Sequence, residues 1–274
     1  MRARLLKAFF ASLIPLAWPA TLAPRTESRL DRASLPLPHR LVAQFPVGTW
    51  IENIAVRPNG NILVTSLAPN ASLYEISNPQ SESPTVTLHF TISTISSLSG
   101  ITEVDDDCFC IVGGNFSPSG SDRGAFSVWV VDFKNRHGPE MRRAASLPDA
   151  VLPNGATKLP HTENTVLIAD STLGLVWKVH VHTGEHEIAL QLPEMSPQAG
   201  GNSSALVGIN GIHAWKGRLW WTNSANASLY RVRIMPGGNL ADDVEVEKVA
   251  SLPSLIFGRL HPRTWGPRGR MDDH

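Results

Sequence analysis

Four polar residues open a repeated pattern, and they are the residues of this chain best placed to do chemistry. They are Glu52, Ser99, Asn154 and Asn210. Each begins a short segment that is followed by a turn, by an apolar run that ends in small polar residues, and by a third apolar run. The starts lie roughly 50 residues apart, and a repeat of that length with several short strands is typical of a β-propeller blade.

These four residues, called the axial residues below, are predicted to meet although the chain separates them widely. The innermost strand of every propeller blade lines the central channel. Convergent polar groups at the mouth of a channel form a natural ligand site. Polar residues at strand starts can instead serve only the backbone groups of turns. Four such residues in register favour the site.

Tryptophans near the repeats are candidates for the flat apolar walls of a substrate pocket. We assign Trp50, Trp177 and Trp221 to substrate binding, with packing between blades as the alternative. Trp220 is adjacent to Trp221 in a predicted strand, so the two side chains face opposite sides and only one can face a given pocket.

Three further polar residues belong to the predicted site. His213 lies three residues after Asn210, where it could act as an acid or base or serve as a hydrogen-bonded spacer between blades. Asp170 and Asn223 end apolar runs and are assigned to substrate binding. The alternative role for Asp170 is the capping of a turn.

Composition excludes some partners and supports an all-β fold. Lys plus Arg equals Asp plus Glu at 24 each, so the composition does not predict a basic surface that would bind nucleic acid. Gly and Pro, 21 of each, suit short strands joined by tight turns. The one helix-like stretch after residue 30 is short and lies around residues 138–145. Cys108 and Cys110 are predicted to be free thiols in a strand.

The N-terminal segment has the layout of a secretory signal peptide. Basic residues precede an apolar stretch over residues 8–16, and small residues follow up to residue 23. Cleavage would leave a secreted chain that does not enter a membrane, and an uncleaved anchor is the alternative. Glycosylation sequons fit a secretory route, and they occur at Asn70, Asn115, Asn202 and Asn226.

The remaining chain divides into a tether, a propeller and a tail. Residues 24–38 are polar and Pro-rich, residues 39–253 carry the blades, and residues 254–274 are irregular. Residues 41–45 are predicted to form a lone strand that completes the last blade. The repeats encode about four blades.

The repeat segments resemble the senescence-marker-protein/gluconolactonase/luciferin-regenerating-enzyme family over roughly residues 40–250. The resemblance rests on Ile51-Glu52-Asn53, on Leu152-Pro153-Asn154-Gly155-Ala156 with residues 167–171, and on residues 208–212 with residues 221–224. It implies a propeller of the six-bladed type, here with an incomplete ring. It also implies an axial divalent cation, with Glu52, Asn154 and Asn210 at the ligand positions.

At position 210 the family has Asp, and this chain has Asn. One carboxylate and two amides make a weak site for a hard cation such as Ca²⁺. We therefore expect no cofactor, with a Ca²⁺-dependent or other metal-dependent lactone or ester hydrolase as the alternative.

A fungal branch of this fold, with hetero-Diels–Alderases from secondary-metabolite pathways, is more similar still. It shares the Leu-Pro-Asn-Gly-Ala, Ile-Ala-Asp-Ser and Gly-Ile-Asn-Gly segments, with neutral amides on the axis. The resemblance implies a cycloaddition on a small, apolar, oxygenated metabolite, with Asn154, Asn210 and Asn223 as hydrogen-bond donors and Glu52 and His213 as further catalytic candidates. A non-catalytic binding protein, or a homologue made inactive by truncation, is the remaining alternative.

Overall fold

The computed structural model describes residues 40–117, 120–200, 207–242 and 244–251. The predicted signal peptide, the tether, Asn202 and the tail lie outside the described residues. The four repeats belong to one compact unit that begins at Leu41. The described residues contain no helix with the length and hydrophobicity needed to span a bilayer.

Four antiparallel four-stranded sheets make up the described residues, and they are the blades of a β-propeller, which confirms the predicted fold. Blade one consists of β1 (Trp50–Val56), β2 (Ile62–Ala68), β3 (Ser72–Ser77) and β4 (Thr85–Thr91). Blade two consists of β5 (Ser97–Asp105), β6 (Cys108–Gly114), β9 (Phe126–Asp132) and β10 (Glu140–Leu147). In blade two the short strands β7 (Phe116–Ser117) and β8 (Gly120–Ser121) form a separate ribbon between β6 and β9.

Blades three and four repeat the same up-and-down order. Blade three consists of β11 (Pro153–Lys158), β12 (Thr165–Asp170), β13 (Leu175–His180) and β14 (His186–Gln191). Blade four consists of β15 (Ile209–Trp215), β16 (Arg218–Asn223), β17 (Ser228–Arg233) and β18 (Glu247–Ser251). Two 3₁₀ helices, Pro193–Met195 and Pro197–Gly200, lie in the connection between these two blades.

The middle strands of blades two and three are apolar because both of their faces are covered by neighbouring blades. Every residue of β6 is buried, and most of β12 is buried as well. The outermost strands have mostly exposed side chains, as in β18. Cys108 and Cys110 lie in β6 as free, buried thiols, as predicted, and burial raises the pKa of both.

Two local predictions are wrong. The stretch that resembles a helix is strand β10, which pairs with β9 through a register shift between Arg143 and Ala145. That shift breaks the alternation of buried side chains and produces the spacing that resembled a helix. Residues 41–45 form no strand in the described structure, where the outermost position of blade four is already held by β18.

Candidate functional site

In every blade, a β-bulge in the innermost strand takes the axial residue out of the regular pairing with the next strand. In blades two, three and four, two residues of the innermost strand stand opposite one residue of the next strand. Each of these bulged pairs is an axial residue and the glycine that follows it. In blade one the register passes from Ile51 to Asn53 and leaves out Glu52. Bulges re-aim side chains, and here they do so at the same position of all four blades.

The innermost strands also approach each other closely enough to bring the axial residues together. A Cβ added to Gly155 would lie 2.5 Å from the carbonyl oxygen of Asn210. A Cβ added to Gly100 would overlap the carbonyl oxygen of Asn154. Glycine is therefore required where consecutive axial segments pack backbone against backbone.

Glu52 and Asn154 meet directly across blades one and three. The half-buried Glu52 carboxylate accepts hydrogen bonds from the side chains of Trp50 and Asn154. Burial raises the pKa of Glu52, and these two hydrogen bonds oppose the rise without cancelling it. The axis therefore carries a carboxyl group whose charged form is disfavoured.

Asn210 is oriented by its own blade. Its Nδ2 donates to Ser224 Oγ at 3.0 Å, and its side chain is half-buried. The adjacent bulge is held by the Gly211 N–H, which donates to Thr222 Oγ1 at 3.1 Å.

Ser99 is at the same position of its repeat, but its hydroxyl is used between blades. Ser99 Oγ donates to the Pro153 carbonyl oxygen at 2.9 Å, and the residue is buried. The hydroxyl thereby ties β5 to β11 next to Asn154.

Asp170 and Trp177 lie inside blade three. The Asp170 carboxylate accepts hydrogen bonds from the backbone N–H groups of Val151 at 2.9 Å, Leu152 at 3.1 Å and Leu173 at 3.1 Å, and from Trp177 Nε1 at 3.3 Å. Asp170 has no exposed surface, and Trp177 packs in the core. Together they hold the chain that leads into Asn154.

Asn223 and Trp221 play the corresponding part in blade four. Asn223 Nδ2 donates to the carbonyl oxygens of Glu194 and Ser196, both at 2.9 Å. Trp221 is buried, donates to the Glu194 carbonyl oxygen at 3.4 Å and stacks on Tyr230 with ring centres 5.5 Å apart. Both side chains therefore anchor the loop after β14 rather than present a surface to a ligand.

Of the tryptophans predicted to bind substrate, Trp50 is the one with a partly exposed ring beside Glu52. His213 is exposed on β15, on the face turned away from blade three. Two clefts, of about 520 Å³ on the rim of blade three and about 780 Å³ at the turns of blade one, contain none of the axial residues.

The donor set fits a hard cation poorly. Ca²⁺ takes six or more oxygen ligands with anionic charge among them. The residues at the family's ligand positions supply one carboxylate, that of Glu52, and its ionisation is opposed by burial. Asn154 and Asn210 can add only neutral amide oxygens to that carboxylate.

The sequons differ in accessibility. Asn70 is exposed in the loop between β2 and β3. Asn226 is in the corresponding loop of blade four, but its Nδ2 donates to the Tyr230 hydroxyl at 2.9 Å. Asn115 accepts from the Ser96 N–H at 3.2 Å. Among the three described sequons, Asn70 is the most accessible acceptor for a glycan.

The fold and the bulged axial residues define a β-propeller with a polar axial site. No family model matches the chain. A protein of Phoma sp, named "Putative hetero-Diels-Alderase", is 33% identical over an alignment of 243 residues, and the match covers 81% of this chain and 68% of that protein. "Putative hetero-Diels-Alderase asR5" of Sarocladium schorii is 34% identical over an alignment of 219 residues, and the match covers 73% of this chain and 54% of that protein. The chain belongs to the family of these proteins, and it spans about two thirds and about half of their lengths.

A solved structure shows the same fold. Luciferin-regenerating enzyme matches with a TM-score of 0.51 at 9% identity, over 75% of this chain and 64% of that one. Regucalcin of Agrobacterium tumefaciens, described as a calcium-binding protein, matches with a TM-score of 0.45 at 15% identity, over 69% of this chain and 58% of that one. At 9% identity the likeness to luciferin-regenerating enzyme concerns the fold alone.

Proposed function

We propose that the chain acts in small-molecule biosynthesis as a cyclase that joins a quinone-methide-type diene to an alkene by a hetero-Diels–Alder cycloaddition or a related cyclisation. The names of its relatives support the class of reaction. The axial site supports it independently, because it offers amide donors and little charge.

The observation that carries the proposal is the pair of oriented amides. A primary amide has two N–H groups in one plane, so a hydrogen bond donated by one of them also fixes the direction of the other. The Asn210 amide is held by Ser224, and the Asn154 amide is held by Glu52. Each amide therefore keeps a second N–H in a set direction for a substrate oxygen.

Such donors suit the chemistry of the cycloaddition. The reaction forms one C–C and one C–O bond at the expense of two π bonds, and no group or proton leaves. It needs two partners held face to face, which removes the entropic cost of their encounter. N–H groups directed at the carbonyl oxygen of the diene stabilise the negative charge that develops there. The protein needs no nucleophile for this step.

Replacement of Asn210 tests the donor role. We expect Asn210→Leu to lower the rate about a hundredfold to a thousandfold, as loss of one fixed donor does elsewhere. Asn210→Asp should be slow as well, because a carboxylate repels the developing oxyanion. The assay follows cyclisation of a quinone methide generated in situ with a tethered alkene, with Asn70→Leu as the control for an exposed amide.

Two outcomes would contradict the proposal. The first is an Asn210→Asp enzyme that cyclises as fast as the parent while its thermal unfolding is unchanged. The second is a folded parent chain that leaves the uncatalysed rate and stereochemistry unaltered. If Asn210→Asp instead gains Ca²⁺-dependent lactone hydrolysis, the axis is built for a metal hydrolase.

A further inference from the structure

Ser224 is tied to the axial segment of blade four at two points. Its N–H donates to the Gly208 carbonyl oxygen at 2.9 Å, and Gly208 lies two residues before Asn210. Its hydroxyl oxygen accepts from Asn210 Nδ2 at 3.0 Å. The two hydrogen bonds close a ring between Ser224 and residues 208–210, so the backbone bond keeps the hydroxyl within reach of the amide.

The turn that carries Ser224 is held in place by Asn223. Asn223 Oδ1 accepts from the Ala225 N–H at 2.8 Å, which closes the turn across Ser224. Asn223 Nδ2 donates to the carbonyl oxygens of Glu194 and Ser196, and Asn223 has no exposed surface. Ser224 is therefore placed by a network of hydrogen bonds that reaches from the connection between blades three and four to the axis.

Ser171 holds the equivalent place in blade three, but its hydroxyl is not used. Its N–H donates to the Leu152 carbonyl oxygen at 2.9 Å, and Leu152 lies two residues before Asn154. Ser171 has no exposed surface, and its hydroxyl has no hydrogen-bond partner among the described residues. Asn154 donates to the Glu52 carboxylate instead. The two axial amides are thus held in different ways, one by its own blade and one by another blade.

We propose that Ser224 is a positioning residue of the axial site and that the equivalent Ser171 is not. Ser224 acts through Asn210, because the hydrogen bond from one N–H of the amide sets the direction of the second N–H. The inference rests on the proposed cycloaddition, in which that second N–H donates to the oxygen of the diene. Without the Ser224 hydroxyl the amide can turn, and a donor that must first be oriented stabilises the developing charge less well than a fixed one.

Ser224→Ala and Ser171→Ala form a matched pair, because each removes one hydroxyl from the same place in its blade. The first readout is the side-chain amide signal of Asn210 in heteronuclear NMR spectra of the whole chain labelled at asparagine. Its loss in Asn210→Gln identifies the signal, which can be followed whether or not the chain is catalytically active. We expect Ser224→Ala to shift the signal and to raise its rate of exchange with solvent, and Ser171→Ala to leave both unchanged.

The second readout is cyclisation of a quinone methide generated in situ with a tethered alkene. Ser224→Ala should lower kcat about tenfold, as loss of one neutral hydrogen bond does. KM should change little, because the fixed donor matters most in the transition state. Ser224→Thr keeps the hydroxyl and should recover most of the rate. Ser171→Ala should keep the parent kcat, since the hydroxyl that it removes has no partner in the described structure.

Three results would overturn the proposal. An Asn210 signal that is the same in Ser224→Ala as in the parent shows that the hydroxyl does not orient the amide. A shifted signal with the parent kcat shows that the reaction does not need a fixed amide. Equal loss of rate in Ser171→Ala shows a general effect of disturbing these turns.

Failure of the proposed function has a different signature. A parent that leaves the uncatalysed rate unaltered, together with a shifted signal in Ser224→Ala, overturns the cycloaddition and supports Ser224 as the anchor of the amide. Circular dichroism and thermal unfolding of each variant establish that it is folded.

Discussion

At the scale of single residues, Glu52 sets the electrostatics of the axis. Desolvation of its carboxylate outweighs the hydrogen bonds from Trp50 and Asn154, so its pKa lies above the ordinary value of 4.5. The folded chain consequently holds the Glu52 proton more tightly than the unfolded chain. Between the two pKa values the stability therefore falls as the pH rises.

Glu52→Gln tests this assignment. The neutral amide keeps the size of the side chain and removes the cost of a desolvated charge, so we expect a higher melting temperature near neutral pH. The gain should shrink as the pH falls through the raised pKa of Glu52, because the parent carboxyl then takes up its proton. Thermal unfolding across this pH range measures the effect, with the exposed Glu82→Gln as control. A difference that does not depend on pH would argue against a desolvated carboxylate.

At the scale of elements, the glycine after each axial residue allows neighbouring innermost strands to touch. Gly155 packs on the backbone of Asn210 and Gly211, whereas Gly211 has room for a Cβ. Both are in bulges of the same type, so the pair isolates the effect of blade contact from that of local backbone conformation.

Gly155→Ala should lower the free energy of unfolding by about 2–3 kcal/mol, because the new Cβ must displace a backbone carbonyl. Gly211→Ala should change it by no more than about 0.5 kcal/mol, as at other open surface positions. Denaturant titration of both variants under the same conditions gives the comparison. Equal costs would mean that bulge conformation, rather than contact between β11 and β15, requires glycine.

At the scale of the whole molecule, a charged cluster joins blade one to blade two. Arg57 pairs with Glu75 of its own blade at 2.7 Å and with Asp107 of blade two at 2.6 Å, and its guanidinium lies 4.0 Å from the centre of the Phe133 ring. His89 Nε2 lies 2.6 Å from the second oxygen of Glu75. The side chains of the cluster are only 6–20% exposed, so each charge depends on its partners.

Loss of Arg57 should therefore weaken the whole propeller. Arg57→Met leaves the buried Glu75 and the half-buried Asp107 without their cation, and we expect a loss of about 3 kcal/mol in the free energy of unfolding. Lys134→Met removes a cation from an exposed pair with Asp105 at 2.9 Å and should have no measurable effect. Denaturant unfolding compares the two, and equal small effects would mean that the cluster does not couple the blades.

The sequence alone was enough to predict the repeated blades of this protein. Four repeats, each a polar residue followed by glycine or asparagine and then by two apolar runs, predicted the blades. Strand periodicity and repeat length depend on residues that are near one another in the chain, so both can be recognised from the sequence. The same repeat placed Glu52, Ser99, Asn154 and Asn210 together. The resemblance in the Pro-Asn-Gly segments pointed to the family to which the chain belongs.

The tertiary structure alone decided which way each side chain points. The bulges at the axial residues, the use of Ser99 between blades and the burial of Asp170, Trp177 and Asn223 all depend on partners far away in the chain. Strand β10 was missed for a related reason, since its bulge hides the alternation. Local pattern specifies that a strand forms, but register and hydrogen-bond partners come from the neighbours against which it packs, and these decide which residues can face a ligand.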